Sequence, residues 1–198
     1  MRFVNYQNDP SGVLGQQAQF ANSAAPAAGV LSNSVPAYTT LGGKFLFNAL
    51  AGAETDFVLF GYQVPAPPAA SPLLAVGTRF QIQSVKISTV NIGAAVATTP
   101  TLLEWGLGIN STAASLATVD GGGTSGVFGP RRLALGSQSF LVGAAIGAQA
   151  PDLDKTFFSF PIVEAGRFFQ VIVRVPVGTA TASQQLRGSV LIDGYFGS

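Results

Sequence analysis

The sequence predicts an all-β protein, an antiparallel two-sheet β-sandwich of jelly-roll type with an extended N-terminal arm. Three observations carry this expectation. Apolar residues alternate with polar ones at period 2 along stretches such as 79–92, 101–110 and 167–177. No segment of helical length carries an apolar stripe at period 3.6. Turn material rich in Gly and Pro separates the alternating runs, as it does in sandwiches. Irregular connection lengths and the lack of a Cys-Trp-Cys framework favour a jelly roll over an immunoglobulin-type sandwich.

A chain of 198 residues holds one such sandwich plus an extension. We assign residues 1–43 to the arm and 44–198 to the jelly-roll domain. Up to Leu41 the chain is mostly Ala, Gly, Ser, Asn, Gln and Pro, with Arg2 and Asp9 as its only charges, and no period persists. Pro26 and Pro36 favour extended backbone there. Phe3, Val4, Tyr6, Phe20, Val30, Leu31 and Tyr38 are anchors for an arm that orders on a neighbour; a free tail is the plain alternative.

The strands follow in order. Residues 44–48 and 56–64 are the first two, and Pro65, Pro67, Pro68 and Pro72 then remove the backbone donors that regular structure needs. In 79–92 the inward set slips twice, from Phe80 and Ile82 to Val85 and Ile87 and then to Val90 and Ile92, as bulges would make it do. In 101–110 Leu103, Trp105, Leu107 and Ile109 share one face, which puts the single Trp in the core. Further strands are expected at 131–135, weakly at 140–142, at 155–164 with Phe157, Phe158, Phe160 and Ile162, at 167–177 with Phe169, Val171, Val173 and Val175, and at 185–196 with Leu186, Val190, Ile192 and Phe196.

Composition narrows function by exclusion. Apolar residues make up 47% and charged residues 10%, against roughly 25% charged in typical domains, so much of the surface is neutral and suits contact with copies or partners. Ten Lys and Arg against nine Asp and Glu leave a net charge of +1, with no cationic cluster of the kind that binds nucleic acid. Without Cys or His the chain has no disulfide, no thiolate or imidazole metal ligand and no Ser-His-Asp or Cys-His catalysis. Residues 1–7 form no signal-peptide core, and the most apolar stretch, 140–153, is short and broken by Gln149, Pro151 and Asp152, so no membrane partner is expected.

The remaining candidates are weak. Gly121-Gly122-Gly123 lacks the Gly-Lys-Ser/Thr ending of a phosphate loop, and Gly43-Lys44 is followed by Phe45. Asp152 and Asp154 are spaced to reach one hard cation, without the Gly and Glu of an EF-hand. Glu54 and Asp56 are a carboxylate pair of the sort a glycosidase uses. Asn110-Ser111-Thr112 matches a glycosylation sequon. Arg131-Arg132 could fork onto a carboxylate or phosphate, bridge to an acidic neighbour or sit solvated at a strand end. Tyr62 and Tyr195 are the aromatic residues left for a sugar platform once Trp105 is placed inside. We assign no catalytic, cofactor-binding or metal-binding residues and no cofactor.

The run 110–120, Gly129-Pro-Arg-Arg-Leu-Ala-Leu-Gly136, Phe160-Pro-Ile-Val-Glu164 and Arg187-Gly-Ser-Val-Leu-Ile-Asp-Gly-Tyr-Phe196 resemble virion structural proteins of tailed bacteriophages. The resemblance spans roughly residues 100–198. It implies a non-enzymatic β-sandwich on the particle surface, made in the host cytoplasm: a capsid decoration or minor capsid protein that stabilises the shell through its arm and neutral surface. Its implied partners are the major capsid protein or other virion proteins and copies of itself, with a trimer preferred. The alternative is a tail or fibre module that binds host glycans through loops such as 65–72 and 120–129.

The alternation makes one firm demand on spectroscopy. Trp105 emission should be that of a buried indole, shielded from iodide, and Trp105→Ala should cost on the order of 3–5 kcal/mol in denaturant unfolding.

Overall fold

The computed structural model describes residues 18–21, 37–49, 55–65, 79–113, 132–176 and 184–197, where the only helical or strand elements are β-strands. There are ten: β1 (Ala18–Ala21), β2 (Ala37–Ala49), β3 (Thr55–Gln63), β4 (Arg79–Asn91), β5 (Thr101–Ser111), β6 (Arg132–Phe140), β7 (Leu153–Thr156), β8 (Ile162–Val163), β9 (Phe168–Val175) and β10 (Gln184–Gly197). One sheet runs β1-β2-β10-β4-β7, with β8 also paired to β4; the other runs β3-β9-β5-β6. We call them sheet A and sheet B.

The pairings are nested. β2 pairs with β10, β3 with β9, β4 with β7 and β8, and β5 with β6, all antiparallel, so each pair lies inside the preceding one along the chain. Two further antiparallel pairings, β10 with β4 and β9 with β5, roll this long hairpin into two facing sheets. That winding is a jelly roll, as the sequence predicts. β1 is an addition outside the nest, lying parallel to β2 with Ala18 opposite Thr39 and Ala21 opposite Gly42. Both β1 and the first seven residues of β2 fall within the stretch read as an arm, whose Ala, Gly and Thr residues give no alternation to detect.

The inward rows of both sheets are those the alternation marks. Leu103, Trp105 and Leu107 on β5, Phe169, Val171, Val173 and Val175 on β9, and Leu186, Val190, Ile192 and Phe196 on β10 are all buried in one core. Phe80 lies against Phe169 nearly parallel, at 5.4 Å between ring centres, and against Phe196 at 4.8 Å; Phe45 meets Trp105 at 5.7 Å. Two glycines of central β10 permit this packing. A Cβ on Gly188 would collide with the Ser88 carbonyl oxygen and the Phe45 ring, and one on Gly194 with the Gln81 carbonyl oxygen and the Phe80 ring. The aromatic rings of β2 and β4 thus lie over bare backbone.

β4 makes one of its two expected slips. Gln83 is the extra residue opposite the Asp193/Gly194 step of β10, and the inward set passes from Phe80 and Ile82 to Val85 and Ile87. Beyond Ile87 no second slip occurs: Thr89 and Asn91 stay inside, while Val90 is half-buried and Ile92 is exposed. Their side chains are satisfied there, Thr89 by Gln138 and Asn91 by the loops at the strand end.

The same bulge explains why residues 155–164 form two short strands instead of one. β7 pairs with Ser84–Ile87 and β8 with Phe80–Gln81, and between them the Phe157 N–H reaches the carbonyl of bulged Gln83. Phe158 is pushed into solvent, and the carbonyl of Pro161, which has no N–H of its own, accepts from Ile82. The expected 131–135 strand continues through Gly136 to Phe140 as β6, while Leu141 and Val142 lie in the following turn.

Across the core the sheets are joined by Gln138, a buried polar side chain of β6. Its Oε1 accepts from Trp105 Nε1 at 3.0 Å and Thr89 Oγ1 at 2.9 Å, and its Nε2 donates to the Pro151 carbonyl at 2.6 Å and the Ile87 carbonyl at 3.5 Å. A leucine would fill the space and leave the buried Trp105 Nε1 and Thr89 Oγ1 without their acceptor. Gln138→Leu should therefore lower unfolding free energy by about 2–4 kcal/mol despite its added apolar surface. Urea titration followed by Trp105 emission measures the loss.

Candidate functional site

Asp56 lies opposite Arg174 across the β3·β9 pair, and Arg174 lies opposite Glu104 of β5. These residues sit on the face of sheet B turned away from the core, yet Arg132 and Arg174 side chains are only 1% exposed and Asp56 is 14% exposed. Arg174 forks onto the carboxylate, Nε to Oδ1 at 2.7 Å and Nη2 to Oδ2 at 3.1 Å, and Arg132 Nη1 joins at 2.9 Å. Burial pushes the Asp56 carboxyl up, but hydrogen bonds from Arg174 and then Arg132, with both charges, outweigh it and hold it below 3.8. A carboxyl so held stays ionised, so Asp56 is no general acid. Its expected partner Glu54 lies outside the described residues.

Arg132 is thus neither solvated at a strand end nor an external anion site; it closes an ion cluster within the chain, and Arg131 lies outside the described residues. Asp154 is an exposed partner of Lys86 at 3.8 Å, and Asp152 accepts from Gln149 Nε2 at 3.1 Å. They line a shallow groove of about 250 Å³ on sheet A with Ser88, Ser189 and Leu191, and the described residues hold no group of three metal-ligating side chains.

Asn110 takes a positive φ of 57° and clamps β5 to β8, donating to the Ile162 carbonyl at 3.2 Å and accepting from the Glu164 N–H at 2.8 Å. The amide a glycan would need is therefore engaged in the fold. Tyr62 and Tyr195 are both buried, Tyr195 under Phe160 in an edge-on contact, which removes the expected sugar platform. Gly121-Gly122-Gly123, the 120–129 loop and nearly all of 65–72 lie outside the described residues; Gly43-Lys44 is in the middle of β2.

The surface that stands out went unassigned in the sequence. Registers place Ala49 opposite Gln184, Leu186 opposite Asn91, Thr101 opposite Phe140 and Thr55 opposite Val175, so these strand ends share one end of the sandwich. There the 92–100 and 141–152 connections are welded together. The Val96 N–H donates to the Ala144 carbonyl, the Gly143 N–H donates to the Val96 carbonyl, and the Asn91 N–H and carbonyl pair with the Ala148 carbonyl and Gly147 N–H. The buried Asn91 side chain donates to Ala94 and Ala145 and accepts from Gly93. Gly143 and Gly147, at φ of 90° and 88°, allow the two tight turns.

On this fixed frame Leu141, Val142 and Ile146 are 68%, 52% and 66% exposed, with Ile92 beside them. Among the described residues of the two connections, Asp152 just before β7 is the one charge. The opposite end carries Arg79, Glu164 and Arg167, the first two paired at 2.8 Å. An Ala- and Gly-rich apolar run without alternation was the available signal, and it suggests a membrane span before it suggests a loop.

Among known proteins, no family model and no curated sequence matches the chain. Solved structures of viruses are similar to it. That of tomato aspermy virus has 9% identity over 87% of this chain and 84% of its own, with a TM-score of 0.35. The empty head of turnip yellow mosaic virus has 12% identity over 93% and 95%, at 0.33, and infectious bursal disease virus 10% over 88% and 45%, at 0.24. At such scores the strand order of this chain is the firmer guide to its fold.

Two titrations bracket the stability. Because Asp56 is held below 3.8, its contribution is present above that pH and is lost as pH falls through its folded value. Asp56→Asn should lower stability at neutral pH by about 3–5 kcal/mol and flatten the acid limb of the profile. Burial raises the Tyr62 phenol from 10.0 to about 12, so stability should be level below pH 10 and fall between 10 and about 12 as the unfolded phenol ionises. Tyr62→Phe should blunt that alkaline loss, read from unfolding curves across the range.

Proposed function

We propose that this chain is a structural, non-enzymatic protein of a virus particle, a component of the shell or a protein bound to its surface. The carrying observation is a jelly roll one end of which, among the described residues, is ordered by backbone bonds and exposes Leu141, Val142 and Ile146. Jelly rolls serve virus shells but also lectins and cupins, so winding alone is an argument by analogy. The described surface adds the distinction. Lectin sites need accessible polar and aromatic groups and cupin chemistry needs metal ligands, whereas the feature offered here is a preorganised patch suited to protein contact. Scarce charge on the chain supports the same reading, since neutral surfaces pack closely at high local concentration.

Within that reading, residues before Ala37 serve as the attachment arm, and a decoration role and a shell-forming role differ in what the chain does alone. Particles purified by gradient from cells that make the protein should contain it, and gold-labelled antibody should mark their outer surface. Closed shells formed by the isolated chain would assign it to the shell; binding only to preformed particles would assign it to decoration. A chain found wholly in the soluble fraction, and absent from particles, would reject both.

A further inference from the structure

We propose that residues 114–131 lie across the outer face of sheet B and cover it. On β9 the side chains of Gln170, Ile172 and Arg174 alternate with the core residues Phe169, Val171 and Val173 and so point away from the core, yet they are 0%, 0% and 1% exposed. Gly106, Gly108 and Ser111 on the neighbouring β5 are buried as well. The outer face of a two-layer sandwich is ordinarily wet, and lateral neighbours in the same sheet do not shield an outward Ile from above. Among the described residues every strand belongs to one of the two sheets, and sheet A takes the inner face. The 92–100 and 141–152 connections are bonded to each other at the apolar end. The cover therefore comes from beyond the described residues.

The course of the chain selects the segment. β5 stands between β9 and β6, and its pairing with β6 ends at Gly108 opposite Arg132. A turn of about two to five residues would join such neighbours. Instead the register with β9 shifts after Gly108, Asn110 takes its positive φ, and Ser111 comes opposite Phe168. The Ser111 hydroxyl donates to Gln170 Oε1 at 3.3 Å, and Gln170 Nε2 donates to the Ala113 carbonyl at 2.8 Å. The chain thus departs on the β9 side of β5, beside outward-facing Gln170. It returns on the β6 side at Arg132, which bonds Asp56 on the same outer face. A path between these points crosses β5, where Gln170 and Ile172 lean over bare backbone: a Cβ on Gly108 would come within 3.2 Å and 3.3 Å of them. The segment brings Leu116, Val119, Val127 and Phe128 to lie against Ile172. So held, 120–129 is part of the fold and not a loop offered to glycans, and the outer face of sheet B is closed to partners.

The inference does not depend on the shell reading. Because the chain has no Cys, Ile172→Cys introduces a single thiol. In the full-length protein it should react with a maleimide at least about a hundredfold more slowly than the thiol of Leu133→Cys, whose site is 37% exposed, at a rate independent of protein concentration. Changing Leu116, Val119, Val127 and Phe128 together to Ser should speed labelling at position 172 at least about tenfold while Trp105 emission stays native. Leu116→Cys and Phe128→Cys, each as the single thiol of an otherwise unaltered chain, should both be protected. Labelling of both at the Leu133→Cys rate would overturn the proposal even if the Ser variant does not fold. A folded Ser variant labelled at position 172 no faster than the parent would overturn it too, and protection that grows with protein concentration would put a second copy on the face instead.

Discussion

The carboxamide of Gln138 is the point on which the two sheets agree. A sandwich core of Phe, Val and Leu has no directional preference, and facing sheets held by apolar contact alone can slide or rotate at little cost. Gln138 ends that freedom. It fixes the Trp105 ring of β5 and the Thr89 hydroxyl of β4, and it ties both to the Pro151 carbonyl where the chain turns into β7. Because the Trp105 and Thr89 bonds to Gln138 are buried, a shift between the sheets leaves those polar atoms without partners in a low-dielectric interior, where each orphan costs about 1–3 kcal/mol. One side chain of β6 thus bonds to both β4 and β5.

Much of the architecture was legible because it is local. β5, β9 and β10 announce themselves by alternation, which needs no knowledge of partners, and the core residues assigned on them are the ones found, except that Ile109 is only partly buried against the core. What was illegible depends on distant residues. The split of β7 from β8 originates in Gln83 of another strand, and the burial of Arg174 follows from a carboxylate far away in sequence, although an Arg flanked by Val173 and Val175 already hints at a paired charge. Thr89 and Asn91 broke the expected pattern because polar residues can occupy inward positions when their bonds are met there. The apolar end was missed since loops held by backbone bonds leave no periodic trace.

Charge is sparse in this chain and placed with discrimination. Surface pairs such as Arg79–Glu164, half-exposed on both sides, contribute little to stability but keep one end hydrated. The cluster of Asp56, Arg132 and Arg174 is buried, where its worth is specificity of arrangement across β3, β9 and β6. Lys155 guards an edge. These charges thus have local tasks, and the end with Arg79 and Glu164 stands opposite the apolar one.

The nested winding also imposes an order in time. Phe196 pairs with Ala37 and Gly197 with Arg79, so β10 is the strand that stands between β2 and β4 and makes them one sheet. During synthesis β2 and β4 emerge long before β10, and until it arrives their apolar faces have no shared sheet on which to settle. Pairings of such long separation are slow to form. A chain without β10 consequently keeps unpaired strand edges of the kind that favour aggregation, and closure of sheet A waits on the translation of β10. A chain that stops short of β10 leaves β2 and β4 with no strand between them, so sheet A forms only when that strand is present.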